Sequence, residues 1–344
     1  MNIIKQNAQY MERNGVTPYQ FIEKVGRTCY KSEDLITPDS AEKFVRGLVN
    51  RHHHAMLEHW TLYFCLSSEF FNDLLDDLTN YNVNLLKYFN VTKFGVKVYM
   101  SGSFRSFIDL FVATDNCKRI LKSFSALTLM RNCLLDQYPL IFDWLNKLPI
   151  DEKAYNVRDC VMFENQVEFK IKVLGYCDDK ANEVLKHHLT HTFLFTTDRG
   201  VTHELVRHRP ASFAQESTRY CNYSKGKFGE EITVILPFFF DTGMGTSSNS
   251  LVYEAWKYSC EVAERKYFEL LNYGATPQEA RSVLPNSLKT EIIVTANETE
   301  WQHIINLRYL GTTGAPHPQM KEVMSLVVGD LSVESEGRLK YEAN

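Results

Sequence analysis

The pattern of apolar and polar residues predicts alternating helices and strands along this chain. The sequence TPYQ at residues 17–20 combines a capping hydroxyl, a proline at the first helical position and a glutamine three residues after the cap. These signals predict a helix to about Cys29. Apolar residues then recur at helical spacing from Phe44 to Val49, which predicts a second helix beginning near Ser40.

Runs of aromatic and β-branched residues predict buried strands at Trp60–Leu66, at His191–Thr196 and at Thr290–Ala296. Helical spacing returns after the second run, with a short helix over residues 201–206 and a long helix through residues 256–270 that Gly274 ends. Two later helices are predicted by the capping sequences TPQE at residues 276–279 and NETE at residues 297–300.

Residues 67–186 are rich in Leu, Phe, Asp and Lys, with apolar positions such as Phe70, Leu74 and Leu78 at helical spacing. We interpret this region as a mostly helical insertion, within which Val96–Met100 alternates as a short strand does. The fold class expected for the whole chain is α+β, with an antiparallel sheet and helices on one side.

Composition narrows the possible classes of protein. Hydrophobic residues make up 44% and charged residues 23% of 344 residues, which is typical of a folded globular enzyme. A net charge of -4 argues against a nucleic-acid partner. Eight scattered cysteines without a C-x-x-C pair indicate reduced thiols. The sequence shows neither the apolar core of a signal peptide nor an apolar run long enough to span a bilayer. We therefore expect a cytoplasmic protein without membrane association.

The segment from Arg207 to Tyr220, RHRPASFAQESTRY, is the densest concentration of candidate binding groups. Guanidinium groups match phosphate oxygens in pairs, and Ser and Gln add neutral donors that fix a sugar or base, so the segment suits a nucleotide. A salt-bridged surface loop and a non-catalytic nucleotide- or RNA-binding module remain as alternatives.

Four separated elements resemble the flavin-dependent thymidylate synthase (ThyX) family. The order R-H-R, seven residues, then S spans Arg207 to Ser217 and resembles the family signature. Residues 53–59 resemble its H-x-[ST]-x-x-E-H element, with Ala55 where a hydroxyl residue is frequent. Residues 280–285 resemble its A-R-x-x-L-P element, and Asn297, His303 and Arg308 fall at the spacing of its later ligand-binding positions.

The resemblance implies methylation of dUMP to dTMP, with 5,10-methylenetetrahydrofolate as carbon donor and NADPH-reduced FAD as hydride source. It also implies a homotetramer whose subunits share active sites. The resemblance covers roughly residues 15–66 and 187–325, and we assign residues 1–66 and 187–330 to the family core. Residues 67–186 are then an insertion of unknown role, and residues 331–344 form a C-terminal tail.

The same resemblance implies two sets of site residues. The FAD set is His53, Ala55, Glu58, Arg207, His208, Arg209, Gln215, Asn297, Thr299 and His303. The dUMP set is Glu204, Arg207, Gln215, Glu216, Ser217, Thr218, Arg219, Arg281 and Arg308.

Arg308 is the catalytic residue that the resemblance implies, because it would stabilise negative charge developing on the uracil ring. Taken by itself, an arginine that closes an apolar helical stripe is more often a side chain whose stem covers the core. The resemblance implies that a flavin carries the redox chemistry, so no protein nucleophile would be required. Cys221 has no neighbouring base in sequence, and we assign Ser217 to binding.

The histidines at 52–54 and 59 raise the alternative of a metal-dependent hydrolase, since imidazole is a common ligand of transition metals. Adjacent histidines on a helix point in different directions, and no H-E-x-x-H sequence accompanies them. We therefore predict no metal site, and we interpret His187, His188 and His191 as structural residues.

Overall fold

The computed structural model describes residues 1–80, 86–116, 124–147, 160–177, 180–219, 221–224, 229–240 and 247–342. The α-helices are α1 Pro18–Tyr30, α2 Ser40–Asn50, α3 Ser68–Asn80, α4 Phe104–Asn116, α5 Phe124–Gln137, α6 Pro139–Phe142, α7 Gln166–Cys177, α8 Ala181–His188, α9 Arg199–Leu205, α10 Ser247–Asn272, α11 Pro277–Ala280, α12 Glu298–Ile305 and α13 Pro318–Glu334. The strands are β1 Asn2–Ile4, β2 Asn7–Tyr10, β3 Thr61–Ser67, β4 Phe89–Phe94, β5 Lys97–Ser103, β6 Cys160–Phe163, β7 Thr190–Asp198, β8 Ser212–Gln215, β9 Thr233–Ile235 and β10 Lys289–Asn297.

These elements confirm the α+β class. One four-stranded antiparallel sheet has the order β2-β7-β10-β8, and a second has the order β4-β5-β3-β6. Strands β1 and β9 form a separate parallel pair. The predicted strands at 60–66, 191–196 and 290–296 are confirmed as β3, β7 and β10, with ends shifted by one or two residues.

The first sheet carries most of the predicted site residues. Strands β7 and β10 pair along their full length, from Thr190 opposite Asn297 to Asp198 opposite Lys289. Successive side chains point to opposite faces, so Phe193 packs with α12 and α13 while its neighbour Leu194 packs against the cluster that contains α1. Helices therefore cover both faces of this sheet. The expectation of helices on one side was wrong, because β7 carries apolar residues on both of its faces and each face packs against helices.

The second sheet joins residues from both sides of the predicted boundary at residue 66. Strand β3 pairs with β5 and with β6, and both of these strands lie between residues 67 and 186. The described part of that region is mostly helical, as predicted, and the short strand expected at Val96–Met100 is β5.

Two capping boxes predicted from sequence are present. The Thr17 side chain accepts from the backbone of Gln20 at the start of α1, and Thr276 accepts from that of Glu279 at the start of α11. In the described ranges, no helix combines the length and the apolar character that crossing a membrane requires.

Candidate functional site

Strand β8 divides the arginine-rich segment into two halves. Residues 207–209 precede the strand and residues 217–219 follow it, with the four residues of β8 near the middle. A strand rises about 3.4 Å per residue, so the two halves lie roughly 13 Å or more apart. Tyr220, the last residue of the predicted segment, lies outside the described residues.

The first half contributes to a cluster that also includes the end of α9, the helix α12 and the turn that follows α12. We call Glu204, His208, Glu300, His303 and Arg308 the Arg308 cluster. Arg308 Nη1 donates to Glu204 Oε2 at 2.7 Å, and Arg308 Nη2 donates to the Glu204 carbonyl oxygen at 3.3 Å. Arg308 Nε donates to His208 Nε2 at 3.1 Å. The side chain of Arg308 is thus held at three points.

His208 is the buried centre of this cluster. Its Nδ1 lies 3.4 Å from Glu300 Oε1, and its ring centroid lies 5.6 Å from that of His303 in an edge-to-face arrangement. Glu300 is 8% exposed, and its Oε1 has no hydrogen-bond partner among the described residues. The two side chains are therefore in close contact, but the geometry between Glu300 Oε1 and His208 Nδ1 falls short of a hydrogen bond.

A change of helix type places Arg308 on this cluster. Asn297 caps the start of α12, because its side-chain oxygen accepts from the backbone nitrogen of Glu300 at 2.8 Å. Trp301, which follows Glu300, is fully buried and fixes the helix against the core. Residues Asn306–Leu310 then form a π-helical turn that ends at Gly311, whose φ is +72°. Single π-helical turns occur frequently at functional sites. The predicted apolar stripe is present, but Arg308 lies in the π turn that follows it.

Arg207 and Arg209 flank His208 and point to solvent. Both residues are exposed, and within the described ranges no hydrogen bond or ion pair involves either guanidinium group. Two such groups, with planar forks of donors, can bind phosphate oxygens.

The second half of the segment forms a separate group, which we call the Arg281 cluster: Thr218, Arg219, Gln278 and Arg281. Arg281 Nη1 donates to Thr218 Oγ1 at 3.2 Å, and Arg219 Nε donates to Gln278 Oε1 at 3.2 Å. Ser217 lies beside it, and its hydroxyl accepts from the backbone nitrogen of Arg219 at 3.4 Å. The short helix α11 delivers Arg281 to this group, so two exposed cations lie together at this end of β8.

Glu216 lies between β8 and the Arg281 cluster but points inward. It is 3% exposed, and its Oε2 accepts from Lys289 Nζ at 3.1 Å and from the backbone nitrogen of Glu291 at 3.2 Å. Burial opposes charge on Glu291, but Lys289 and Lys31 hold the pKa of that carboxyl below its usual range. This network of opposite charges fixes the end of β8 next to Ser217.

Gln215 is also directed into the fold. Its Nε2 donates to Thr202 Oγ1 at 3.0 Å and to Thr290 Oγ1 at 3.4 Å.

Cys221 is buried beside Glu216. Burial, and then Glu216, raise the pKa of the Cys221 thiol to about 12, so this cysteine is not a thiolate near neutral pH.

The predicted FAD residues near the start of the chain lie on the 3-10 helix His54–His59 and on the residue before it. His53 is exposed, and its Nδ1 is 2.7 Å from the hydroxyl of Tyr30. Glu58 Oε1 accepts from Arg105 Nη1 at 2.6 Å, which joins this helix to α4 of the predicted insertion. Ala55 is half-buried against the large core cluster.

Asn297 and Thr299 contact a different set of residues. Asn297 Nδ2 donates to the His187 carbonyl oxygen at 3.0 Å and to Asn90 Oδ1 at 3.2 Å. Thr299 Oγ1 is 3.1 Å from His187 Nδ1. These two residues of the predicted FAD set therefore border α8 and β4.

Three other histidines are buried and have internal partners. His59 is buried with Nδ1 2.8 Å from Thr295 Oγ1, and burial lowers the pKa of His59 to about 3. His188 bonds to Ser101 and Thr92, and burial likewise lowers the pKa of His188 to about 3. His191 contacts Glu298 and Tyr10. Among the described residues, the group that could hold a metal ion is His208, Glu300 and His303, not the predicted histidine run.

Sequence reasoning missed Glu300 and Arg105. Glu300 is the fourth residue of the capping sequence NETE, and a glutamate at that position is already explained by helix capping. Arg105 stands in a region of unassigned role and meets Glu58 only through the tertiary fold.

Comparison with known proteins gives the chain its family. Residues 154–328, slightly more than half of the 344 residues, match the family model described as thymidylate synthase complementing protein. A flavin-dependent thymidylate synthase from Pyrococcus furiosus is 35% identical over 147 residues, which cover 42% of this chain and 55% of that protein. The enzyme of the same name from Geobacter sulfurreducens is 34% identical over 140 residues, which cover 40% of this chain and 53% of that protein.

The chain spans about half the length of the relatives it matches. Among solved structures, the UMP/dUMP methylase PolB from Streptomyces cacaoi bound with 5-Br UMP aligns with a TM-score of 0.38 at 21% identity, covering 49% of this chain and 84% of that one. The family match rests on the sequence. This chain belongs to the thymidylate synthase complementing protein family, which confirms the resemblance that its motifs indicate.

Proposed function

We propose that this protein converts dUMP to dTMP, with 5,10-methylenetetrahydrofolate as carbon donor and NADPH-reduced FAD as hydride source. The observation that carries the proposal is the placement of the family signature on β8. Exposed arginines lie at both ends of this strand, and the arginine expected to act on the uracil ring is anchored beside the first group.

The residues before β8 suit the diphosphate of FAD. Arg207 and Arg209 are exposed, and their guanidinium groups have no polar partner among the described residues, so their donors are available to phosphate oxygens. His53, Ala55, Glu58, His208, Gln215, Asn297, Thr299 and His303 complete the proposed FAD site. When bound, reduced FAD supplies the hydride that the reaction requires.

Arg308 is proposed to stabilise charge on the uracil ring. A guanidinium group carries five N–H donors, and three of the Arg308 donors are bonded to Glu204 and His208. The two that remain are available to a substrate oxygen, and the three anchors keep them oriented before substrate arrives. Glu204 would serve the dUMP site by holding this arginine.

The Arg281 cluster is proposed to bind the phosphate of dUMP. Arg281 and Arg219 provide two guanidinium groups, and Thr218 and Ser217 add hydroxyl groups beside them. Glu216 and Gln215 point inward, so their proposed contribution is to fix this end of β8.

We also propose a homotetramer whose sites lie between subunits. The Arg308 and Arg281 clusters are at opposite ends of β8 within one protomer, and a single dUMP would contact both if each cluster came from a different subunit. Isologous packing of identical chains brings such distant patches together.

The test measures dTMP formed from dUMP, methylenetetrahydrofolate, NADPH and FAD by the wild type, by Arg308→Ala and by Arg281→Ala. We expect both variants to be inactive alone and co-expression of the two to restore about a quarter of the activity, since random pairing leaves that fraction of shared sites intact. Failure of the mixture to regain activity would contradict shared sites. If the wild type binds dUMP but forms no dTMP, the proposed activity fails and the protein is a nucleotide-binding module.

A further inference from the structure

The Arg308 cluster contains a buried carboxylate, that of Glu300, to which the proposed reaction assigns no role. The capping sequence accounts for the backbone of this residue only, because Asn297 accepts from the Glu300 backbone nitrogen. Glu300 is 8% exposed, and its Oε1 lies 3.4 Å from His208 Nδ1 without a hydrogen-bond partner among the described residues. An unpaired carboxylate oxygen in the interior is costly, so a native structure that keeps one needs a reason for it.

The contacts of His208 fix which ring nitrogen carries its proton. Arg308 Nε is a donor and has no lone pair available, so His208 Nε2 must accept at 3.1 Å. In the neutral ring the proton is then on Nδ1, and Nδ1 faces Glu300. A proton on Nε2 would instead place two N–H groups against each other and release Arg308.

We propose that Glu300 is a positioning residue that holds His208 in the Nδ1–H tautomer and thereby orients Arg308. The carboxylate stabilises the proton on Nδ1, which leaves the Nε2 lone pair to anchor the arginine. Glu204 fixes the other side of the same guanidinium group through Nη1 at 2.7 Å. Two carboxylates therefore hold the arginine, one directly and one through the imidazole ring.

A divalent metal on His208, Glu300 and His303 is the competing explanation, since ligand atoms of these three lie within 4.8 Å of one another. A histidine that binds a metal normally donates its other ring N–H to an acceptor. His208 Nε2 does the opposite, because it accepts from a permanently charged arginine. Binding of a metal at Nδ1 would require an imidazolate ring, which makes this site a poor one.

The inference depends on the proposed function only for its effect on catalysis, so the first readout uses the protein without substrates. In wild-type protein labelled with nitrogen-15 histidine, we expect the His208 signals to show an Nδ1–H ring, with assignment from a His208→Gln sample. Glu300→Gln keeps an acceptor oxygen and should preserve that tautomer. Glu300→Met removes the acceptor and should shift the ring toward Nε2–H.

The second readout is steady-state kinetics with dUMP. Glu300→Met should lower kcat by about 10- to 100-fold, which is the scale of losing the hydrogen bond between the charged Arg308 and His208 Nε2. Glu300→Gln should recover most of that loss. Glu23→Gln, a matched change at another buried glutamate, should leave kcat and the tautomer unchanged.

An Nε2–H ring in the wild type overturns the proposal, whether or not any variant folds. An unchanged tautomer in Glu300→Met also overturns it, as does stoichiometric zinc that both Glu300 variants lose. If the tautomer responds as expected in a protein that makes no dTMP, the positioning role stands and the proposed function fails.

Discussion

The buried ion pair between Glu298 and Arg338 should be among the most sensitive points of the fold. Glu298 is fully buried and accepts from Arg338 Nε at 2.8 Å, from Arg338 Nη2 at 2.7 Å and from His191 at 3.0 Å. Burial alone would raise the pKa of Glu298, but Arg338 and His191 hold it below its usual range. This carboxylate therefore stays charged inside the protein and depends on these partners.

Arg338→Met leaves that charge with one partner, and we expect the free energy of unfolding to fall by about 3 to 5 kcal/mol. Adding Glu298→Gln removes the stranded charge, so the double variant should be more stable than Arg338→Met alone. The resulting coupling energy should be about 2 kcal/mol, within the range for residues in contact.

Urea unfolding followed by circular dichroism, at one fixed protein concentration and near pH 7.5, measures these energies. Lys340→Met, two residues along the chain and exposed, is the control and should change stability by less than about 0.5 kcal/mol. A loss below about 1 kcal/mol for Arg338→Met, or strictly additive losses in the double variant, would refute the reasoning.

Three further predictions concern pH, a cysteine and a glycine. His59 and His188, whose pKa values burial lowers to about 3, take up protons near pH 6.5 only when unfolded, so stability is lost as pH falls through that range. The unfolding free energy should drop by about 3 kcal/mol from about pH 7.5 to 5.5, and His59→Gln should halve this slope in urea titrations. Cys221→Ser should retain dTMP formation from dUMP, methylenetetrahydrofolate, NADPH and FAD, because the thiol is protonated and the proposed reaction needs no protein nucleophile; a loss above about tenfold would contradict this. Thermal melts should show that Gly311→Ala loses at least about 1 kcal/mol, since φ is +72° and an added Cβ would lie 2.9 Å from Pro316. Gly329→Ala, in an open part of α13, should be neutral or stabilising in those melts.

Local signals explain why much of the fold follows from the sequence. The capping sequences at Thr17 and Thr276 act within four residues, and both helices begin where these sequences predict. Strands β3, β7 and β10 are dense in aromatic and β-branched residues, so each is recognisable without knowledge of its partner. Pairing is different, because β3 bonds to β6 across about a hundred residues that give no indication of it.

In the candidate site, too, local motifs are visible in the sequence and long-range contacts are not. Its arginines and histidines stand in motifs that one sequence can reveal, and the family match confirms the resemblance on which their assignment rests. The π-helical turn that carries Arg308 could not be predicted, because its sequence continues a regular helical stripe. The buried partner of Glu298 lies in the stretch predicted as a tail, and only the packing of α13 brings Arg338 to it.

The most direct test of the proposed function is an anaerobic titration of the purified protein with its flavin reduced. Addition of dUMP and methylenetetrahydrofolate should return the oxidised flavin absorbance in proportion to dTMP formed. Arg308→Ala should bind flavin and show no coupled reoxidation. Wild-type protein that binds no FAD, or whose reduced flavin persists with both substrates present and no dTMP, would contradict the account.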